Sequence, residues 1–475
     1  MRTAGRVAAA GTAVVVLLGG YAALDVYDKV PGVLTTTDAQ RDPVPVPGHT
    51  APPPAASAAP PVVPKVEAVA QAADAPVPAP AKVSALVSPL LKSRYLGPTT
   101  ALTIRDGRTG QHLMDVDADG AHTPASITKM LSAYAIARTL DLGATLDTTV
   151  VESSGGSVVL VAGGDTVLNP GSGDPNAVTG RAGLDDLAAQ VAKQLKAQGR
   201  TSTTVGYDVS YAPGPLQAAH WAQGNVDSGY TARIAMLGLS TQRAHPGTPP
   251  PKDPARSTAQ AFVKALAGQG ISATLGGTTT AAEGAARLGV VHSAPIVDVL
   301  GVALQDSDNA MVESLARQAA AKAGRPGDTA SVVAWITDTL KRDGIDLRGV
   351  RLADASGLGD GTTIPARVLG DLIVRATSGK SPRFEQVVSR LPVAGLNGTV
   401  HDRFGVPDAR AGVGVVRAKT GSLPSVTSLT GTVLDKDGRL LAFTLINNGK
   451  QPRGPLDARA QLDRVVAALA GCGCR

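Results

Sequence analysis

Three short strings stand in fixed order along the chain: Ser126-Ile127-Thr128-Lys129, Ser307-Asp308-Asn309 and Lys419-Thr420-Gly421. Together their side chains suit acyl transfer by a serine nucleophile with lysine handling the protons. A serine hydroxyl attacks poorly until a neighbouring base takes its proton. Residues three apart on a helix share a face, so the Lys129 amine reaches the Ser126 hydroxyl. Pro124-Ala125 would start that helix and set the nucleophile at the positive end of its dipole. A lysine must be neutral to act as a base, and an ordinary one at pH 7 is not. A second ammonium about 4 Å away makes charging costlier by roughly 4 kcal/mol at an effective dielectric of 20, about three pKa units. Lys419 is the candidate for that second cation.

The other two strings supply the remaining parts. Ser307 and Asn309 alternate with Asp308, so both point one way from a tight loop. Ser307 suits proton relay to a leaving amine, and Asn309 suits holding a substrate amide and the lysine. Gly421 leaves room for substrate to approach the backbone. Lys419 and the hydroxyls of Thr420 and Ser422 suit a terminal carboxylate. Backbone N–H groups of Ser126 and Ser422 would form an oxyanion hole, a feature typically worth a few kcal/mol. Each string alone has a plainer reading: a solvated helix face, a helix cap before Ala310-Met311-Val312-Glu313, a polar strand end. Their order and context together carry the chemical one.

Elements must position these groups. Leu102-Thr103-Ile104 and His112 to Met114 flank Asp106-Gly107-Arg108-Thr109-Gly110 as a hairpin. A helix follows from Ser126, with Ile127, Met130, Leu131, Tyr134 and Ala135 at helical spacing. Near the C-terminus, Val413–Thr420, Ser425–Leu434 and Leu440–Asn447 read as strands, and Leu456 to Leu469 as a closing helix. Strands at both ends with helices between predict an antiparallel sheet covered by helices. The long gap between the first two strings has its own strands, Ser157–Ala162 and Thr203–Tyr207. It also has its own helices, Leu184–Gln198 and Ala259–Gly268.

Composition narrows the class. With 43% hydrophobic but only 3% aromatic residues, the core must be built mainly from Ala, Val and Leu. A net charge of +6 is mild for 475 residues, and no Lys/Arg run is interleaved with aromatics, which argues against nucleic acid as a partner. Two cysteines, Cys472 and Cys474, sit at the extreme C-terminus and read as an inert tail. The seven histidines form no zinc-peptidase signature, so no metal or cofactor is expected. Arg2 and Arg6 precede an uncharged stretch, Val7–Leu24, of about 27 Å as a helix, and Asp25 and Asp28 follow it. That order predicts export, as a cleaved signal peptide or a single-pass anchor. Pro43 to Ala81 is dense in Pro and Ala and reads as an extended spacer.

At this point the chain resembles the class C low-molecular-mass penicillin-binding proteins, the D-alanyl-D-alanine carboxypeptidase/endopeptidases. Beyond the three strings, the likeness rests on Leu160-Val161-Ala162-Gly163-Gly164-Asp165, Asp253-Pro254-Ala255, Ser293-Ala294-Pro295, Asp354-Ala355-Ser356-Gly357-Leu358 and Leu391-Pro392-Val393-Ala394-Gly395 through Gly398-Thr399. It implies an α+β fold of the penicillin-binding/serine β-lactamase type with an inserted α/β domain. The expected layout is a signal or anchor over 1–30, a spacer over 31–83, the peptidase domain over 84–146 and 287–475, and the insert over 147–286. Catalytic roles fall to Ser126, Lys129, Ser307, Asn309 and Lys419, and substrate binding to Thr420, Gly421 and Ser422. The implied partners are peptidoglycan stem peptides ending in D-Ala-D-Ala, β-lactams as covalent inhibitors, and the membrane through an uncleaved N-terminus. Ser422 stands where the family often has threonine, and the hydroxyl survives. Asp208 is either a contact to the peptide stem or a surface aspartate, the latter being favoured.

Two rivals remain. A class A β-lactamase needs a glutamate and asparagine downstream of the second string to activate water. The only glutamates between Asn309 and Lys419 are Glu313 and Glu385, and neither begins Glu-x-x-x-Asn. A non-catalytic cell-wall-binding scaffold of the same fold has no need of all five catalytic residues.

Overall fold

The computed structural model describes residues 75–475. The expected export segment and most of the Pro/Ala-rich spacer lie outside the described residues. Ordered packing begins before residue 84, where the spacer was expected to end. Pro80 opens helix α1 (Pro80–Leu91), a position where a missing N–H costs nothing. Val83 and Val87, one turn apart, are fully buried. The proline that suggested an extended spacer starts a helix instead. Ahead of it, the Ala75 carbonyl accepts from Arg439 Nη1 at 3.0 Å.

Next come the hairpin strands β1 (Thr99–Asp106) and β2 (His112–Val116). A 3-10 turn over Ala125–Thr128 then leads into α2 (Lys129–Thr139). Every residue of α2 from Lys129 to Ala137 is buried. A helix buried on all faces belongs in the middle of a core, and Lys129 is its one charged member inside.

The chain then builds a second sheet. β3 (Asp147–Glu152) and β4 (Val158–Val161) run antiparallel. α3 (Leu184–Ala197) crosses to β5 (Ser202–Asp208), parallel to β4. After the short α4 (Gln223–Asp227), α5 (Pro254–Gly268) crosses to β6 (Ser272–Thr278), parallel to β5. β7 (Arg287–His292) returns antiparallel beside β3. Leu184, Leu187, Val191 and Leu195 recur at helical spacing on α3 and share a core with Leu160, Val205 and Phe262. This mixed sheet occupies the segment expected as an insert over 147–286. It runs on to His292, because β7 pairs with β3 through Asp147↔His292.

Five helices follow: α6 (Ile296–Gln305), α7 (Asn309–Lys322), α8 (Thr329–Arg342), α9 (Ala366–Thr377) and α10 (Pro382–Val388). Most of their buried apolar residues join those of α2 in one cluster, while Ala310 of α7 packs with the second sheet. β8 (Val416–Leu423), β9 (Val426–Leu434) and β10 (Leu440–Asn448) complete the first sheet, and α11 (Pro455–Ala470) closes the chain. The strand order is β2-β1-β10-β9-β8, antiparallel throughout. Side chains alternate faces along a strand. On β10, Leu441, Phe443 and Leu445 share a core with Leu462 and Val465 of α11, whereas Ala442 and Ile446 join the cluster around α2. So β10 is apolar on both faces, and the sheet is covered on both.

The C-terminal end is tied down rather than inert. Cys472 and Cys474 form a disulfide, and the Cys474 carbonyl accepts from Ala79 N at 2.5 Å. Within α11, Asp463 accepts from Arg403 Nε at 3.0 Å and Nη2 at 2.6 Å, with both side chains about 5% exposed or less. Removing one partner of such a buried pair costs about 3–5 kcal/mol, because the other charge is left uncompensated. Asp463→Ala is therefore expected to lower stability by about that amount in urea unfolding, whereas Arg403→Met/Asp463→Leu keeps most of it. Equal losses in the two variants would count against this account.

Candidate active site

The three strings converge. Ser126 sits in the 3-10 turn rather than in the α-helix proper, one step before α2. Ala125 just before it has φ +54, a left-handed conformation that costs a non-glycine residue about 1–3 kcal/mol. The turn persists because neighbours clamp it. The Ala125 carbonyl accepts from Thr128 Oγ1 at 2.7 Å, and the Pro124 carbonyl from Ser428 Oγ of β9 at 2.6 Å. Gly421 of β8 lies directly against the same turn. A Cβ there would stand 2.6 Å from the Pro124 carbonyl oxygen and would also strike Ser428 Oγ.

Lys129 Nζ is fully buried and donates to three acceptors: Ser126 Oγ at 2.9 Å, Asn309 Oδ1 at 2.6 Å and the Ser356 carbonyl at 2.8 Å. Lys419 Nζ, equally buried, donates to Ser307 Oγ at 2.9 Å and to the Thr420 carbonyl at 2.8 Å. Burial pulls Lys129 down to about 8, and Asp354, Asp308 and Glu313 restrain the fall. Lys419 falls well below the ordinary lysine value, first through burial and then through the charge of Lys129. The expected like-charge mechanism thus needs correcting. Loss of water is the main lever on Lys129, and the repulsion tells on Lys419.

The second string does two jobs at once. Ser307, at φ +58, turns its hydroxyl to Lys419. Asp308 caps α7 by accepting from Met311 N at 2.9 Å. It also forms a two-point ion pair with Arg243, at 2.8 and 2.6 Å. Burial opposes its ionisation, but Arg243 and the Met311 N–H outweigh that and hold it below the usual aspartate value. Asn309 opens α7 and faces Lys129.

Thr420 Oγ1 lies 2.8 Å from Thr399 Oγ1, and Ser422 borders the cleft that Ser126 opens into. That cleft encloses about 770 Å3 and is also lined by Tyr230, Ser307, Asn309 and Leu358. No group of His, Cys, Asp or Glu that would hold a metal occurs among the described residues.

Several residues support the site in roles that the sequence did not assign to them. Ser356 holds Lys129 with a backbone oxygen, which no side-chain pattern reveals. Asp354 organises that loop by accepting from Ser356 N at 3.0 Å, Gly357 N at 2.6 Å and Trp221 Nε1 at 2.8 Å. Glu313 accepts from Ala355 N at 2.9 Å. Its spacing of four from Asn309 on one helix face was the available signal. Arg243 left no local signal at all. Asp208 is neither a surface residue nor turned to the cleft. It is buried, and its carboxylate accepts from Ser210 N and Ala281 N, both at 2.8 Å.

Comparison with known proteins places the chain in a family. The model of the D-Ala-D-Ala carboxypeptidase 3 (S13) family matches residues 83–253 and 245–469. The chain is 36% identical to the carboxypeptidase DacB of Mycolicibacterium smegmatis, over 84% of this chain and 86% of that protein. It is 34% identical to a carboxypeptidase of Mycobacterium tuberculosis, over 88% and 90% respectively. The crystal structure of penicillin binding protein 4 from Haemophilus influenzae has the same fold, with a TM-score of 0.64 at 19% identity, covering 80% of this chain and 97% of that one.

Burial pushes Glu313 up from 4.5 to about 8, with Asp354 adding to the rise. A carboxyl raised on folding contributes stability that is whole below its unfolded pKa and is lost as pH rises through its folded pKa. Between pH 5 and 8 the wild type should therefore lose more stability than Glu313→Gln, read from urea midpoints. Asp165, pushed up by burial to about 7, titrates in the same window in both proteins. The difference between the two slopes is thus the measure, and parallel slopes would refute the assignment.

Proposed function

The chain belongs to the D-Ala-D-Ala carboxypeptidase 3 (S13) family, a serine-type D-Ala-D-Ala carboxypeptidase, and from that premise we propose that Ser126 is the residue acylated. The observation that carries this reading is the fully buried Lys129 Nζ at 2.9 Å from Ser126 Oγ, which opens into the cleft. With its pKa near 8, about a tenth of Lys129 is neutral at pH 7, roughly 300-fold more than for an ordinary lysine. Neutral Lys129 takes the Ser126 proton as Oγ attacks the carbonyl of the penultimate D-Ala. The tetrahedral oxyanion is held by the backbone N–H groups of Ser126 and Ser422. Ser307, hydrogen-bonded to Lys419, passes a proton to the leaving amine, D-Ala departs, and water then hydrolyses the ester.

Edge geometry favours a peptide substrate. β8 is the last strand of its sheet. Its first half is met by Pro392–Ala394 through Ala394 N to Val416 O at 2.9 Å and Ala418 N to Pro392 O at 3.1 Å. The half from Lys419 to Leu423 carries no such partner among the described residues, leaving a free edge for an extended stem peptide. Endopeptidase action on cross-links is the same attack with another leaving group. A β-lactam, which acylates the same nucleophile, would act as a covalent inhibitor; a Haemophilus relative of this fold is described in complex with a β-lactam. Glu313 does not serve as a water-activating base, since it is buried and bound to Ala355 N, which speaks against β-lactamase turnover. The order of charges around Val7–Leu24 supports placement outside the cytoplasmic membrane, secreted or anchored.

Intact-mass measurement after incubation with a fluorescent penicillin should show one adduct, lost in Ser126→Ala. Muropeptides ending in D-Ala-D-Ala should release D-Ala, and release from cross-linked dimers reports the endopeptidase share. Acylation should quicken about tenfold per pH unit up to about pH 8 and then level. An adduct retained by Ser126→Ala, or no adduct in the wild type, would sink the proposal.

A further inference from the structure

The sequence holds no run of cations interleaved with aromatics, yet the fold assembles such a cluster. Tyr95, between α1 and β1, has three guanidinium groups against its ring. The Cζ atoms of Arg94, Arg453 and Arg464 lie 5.5, 6.0 and 5.8 Å from the ring centroid. They come from three segments: the turn after α1, the loop between β10 and α11, and α11 itself. Other contacts hold those segments together without the ring. Gly97 N donates to Asn447 Oδ1 at 2.9 Å, and Gln461 Nε2 donates to the Leu90 carbonyl at 2.8 Å.

A cation over an aromatic ring gains from its quadrupole, but three cations around one ring repel each other. Carboxylates answer only part of that charge. Arg464 donates to Asp408 at 2.6 Å and Arg453 to Asp457 at 3.3 Å, whereas Arg94 forms no ion pair among the described residues. Arg94 and Arg453 are exposed, as is Lys92 two residues ahead of Arg94. The loop that carries Arg453 also reaches the active-site cleft through Lys450 and Gly454. Lys450 and Arg459 are the charged residues lining that cleft, and no carboxylate lines it. One small anion needs a single fork, whereas several forks with surplus charge suit an anion that repeats. Guanidinium forks match phosphate oxygens.

We propose that Arg94, Arg453 and Arg464, gathered around Tyr95, bind a phosphodiester polymer of the cell wall. The choice of a wall polymer rests on the peptidoglycan reading above, since an enzyme whose cleft takes stem peptides works among wall strands. The Tyr95 ring is covered by guanidinium groups rather than presented to acyl chains, which favours a soluble polymer over a bilayer surface. A polymer held there would keep the cleft beside its substrate.

The test measures binding of poly(glycerol phosphate) to the full-length protein by calorimetry at low and high salt. Three phosphate contacts predict a Kd that rises roughly 20-fold for a fourfold rise in salt. Arg94→Gln and Arg453→Gln should each weaken binding roughly three- to tenfold and cut the salt slope by about a third. Arg94→Lys, which keeps the charge, should retain most of the affinity. A wild type that does not bind the polymer, or neutral variants that bind it as the wild type does, would overturn the site. Vesicles of phosphatidylglycerol and of phosphatidylcholine supply the other arm. A preference for the anionic vesicles that Arg94→Gln abolishes, without polymer binding, would give the cluster to the membrane and overturn the proposal. The penicillin adduct at Ser126 shows that each variant is folded, and a wild type lacking it would strike the parent reading instead.

Discussion

Everything at this site follows from keeping two lysine side chains out of water. An ammonium loses several kcal/mol of hydration on burial, even after the surroundings relax. Lys129 and Lys419 recover part of that through acceptors supplied at hydrogen-bond distance: Asn309 Oδ1, Ser356 O, Ser307 Oγ and Thr420 O. All four are neutral. The carboxylates stand one shell out, with Asp308 claimed by Arg243 and Asp354 by backbone N–H groups. Had one of them touched Lys129 directly, it would have fixed the proton on nitrogen and left no base for Ser126.

Such a shell demands close backbone approach, and the chain meets that demand with unusual conformations. Ala125 and Ser307 take positive φ on either side of the cleft. Gly357, at φ +76, packs so tightly on the Ser126 turn that a Cβ would reach Thr128 Oγ1 at 2.5 Å. Gly421 makes the same kind of contact from the sheet. The glycine of the third string thus serves close packing against the Ser126 turn. Helix α2, buried all round, gives the turn a rigid floor.

The sequence made the chemistry more legible than the scaffolding. The three strings singled out Ser126, both lysines and the hydroxyls, which the structure brings together, because their types and spacing are specific. Strands β8 to β10 and helix α11 were readable from alternation and from Asp435-Lys436-Asp437-Gly438, where Gly438 takes φ +82. The start of folded structure was misjudged, since Pro80 at a helix N-terminus looks the same in sequence as proline in a spacer. Backbone acceptors such as Ser356 O were invisible. A carbonyl is present at every residue, and only the fold says which one is aimed at a charge. The cause of the Lys129 shift was misassigned for a related reason, because depth of burial is a property of the whole packed core.

Arg243 shows why the inserted segment belongs to the catalytic argument. It lies between β5 and β6, yet it pairs with Asp308 at the head of α7. Asp308 must be ionised to cap that helix and to hold Ser307 and Asn309 on their two lysines. Burial works against that ionisation, and the guanidinium reverses the balance. Without Arg243, the cheapest response would be to protonate Asp308 or to let the loop relax, and either would loosen the left-handed Ser307 that faces Lys419. Part of the charge balance of the active site is therefore supplied from sequence far outside its three strings. A large insertion between the first and second strings then has a physical role in fixing the second.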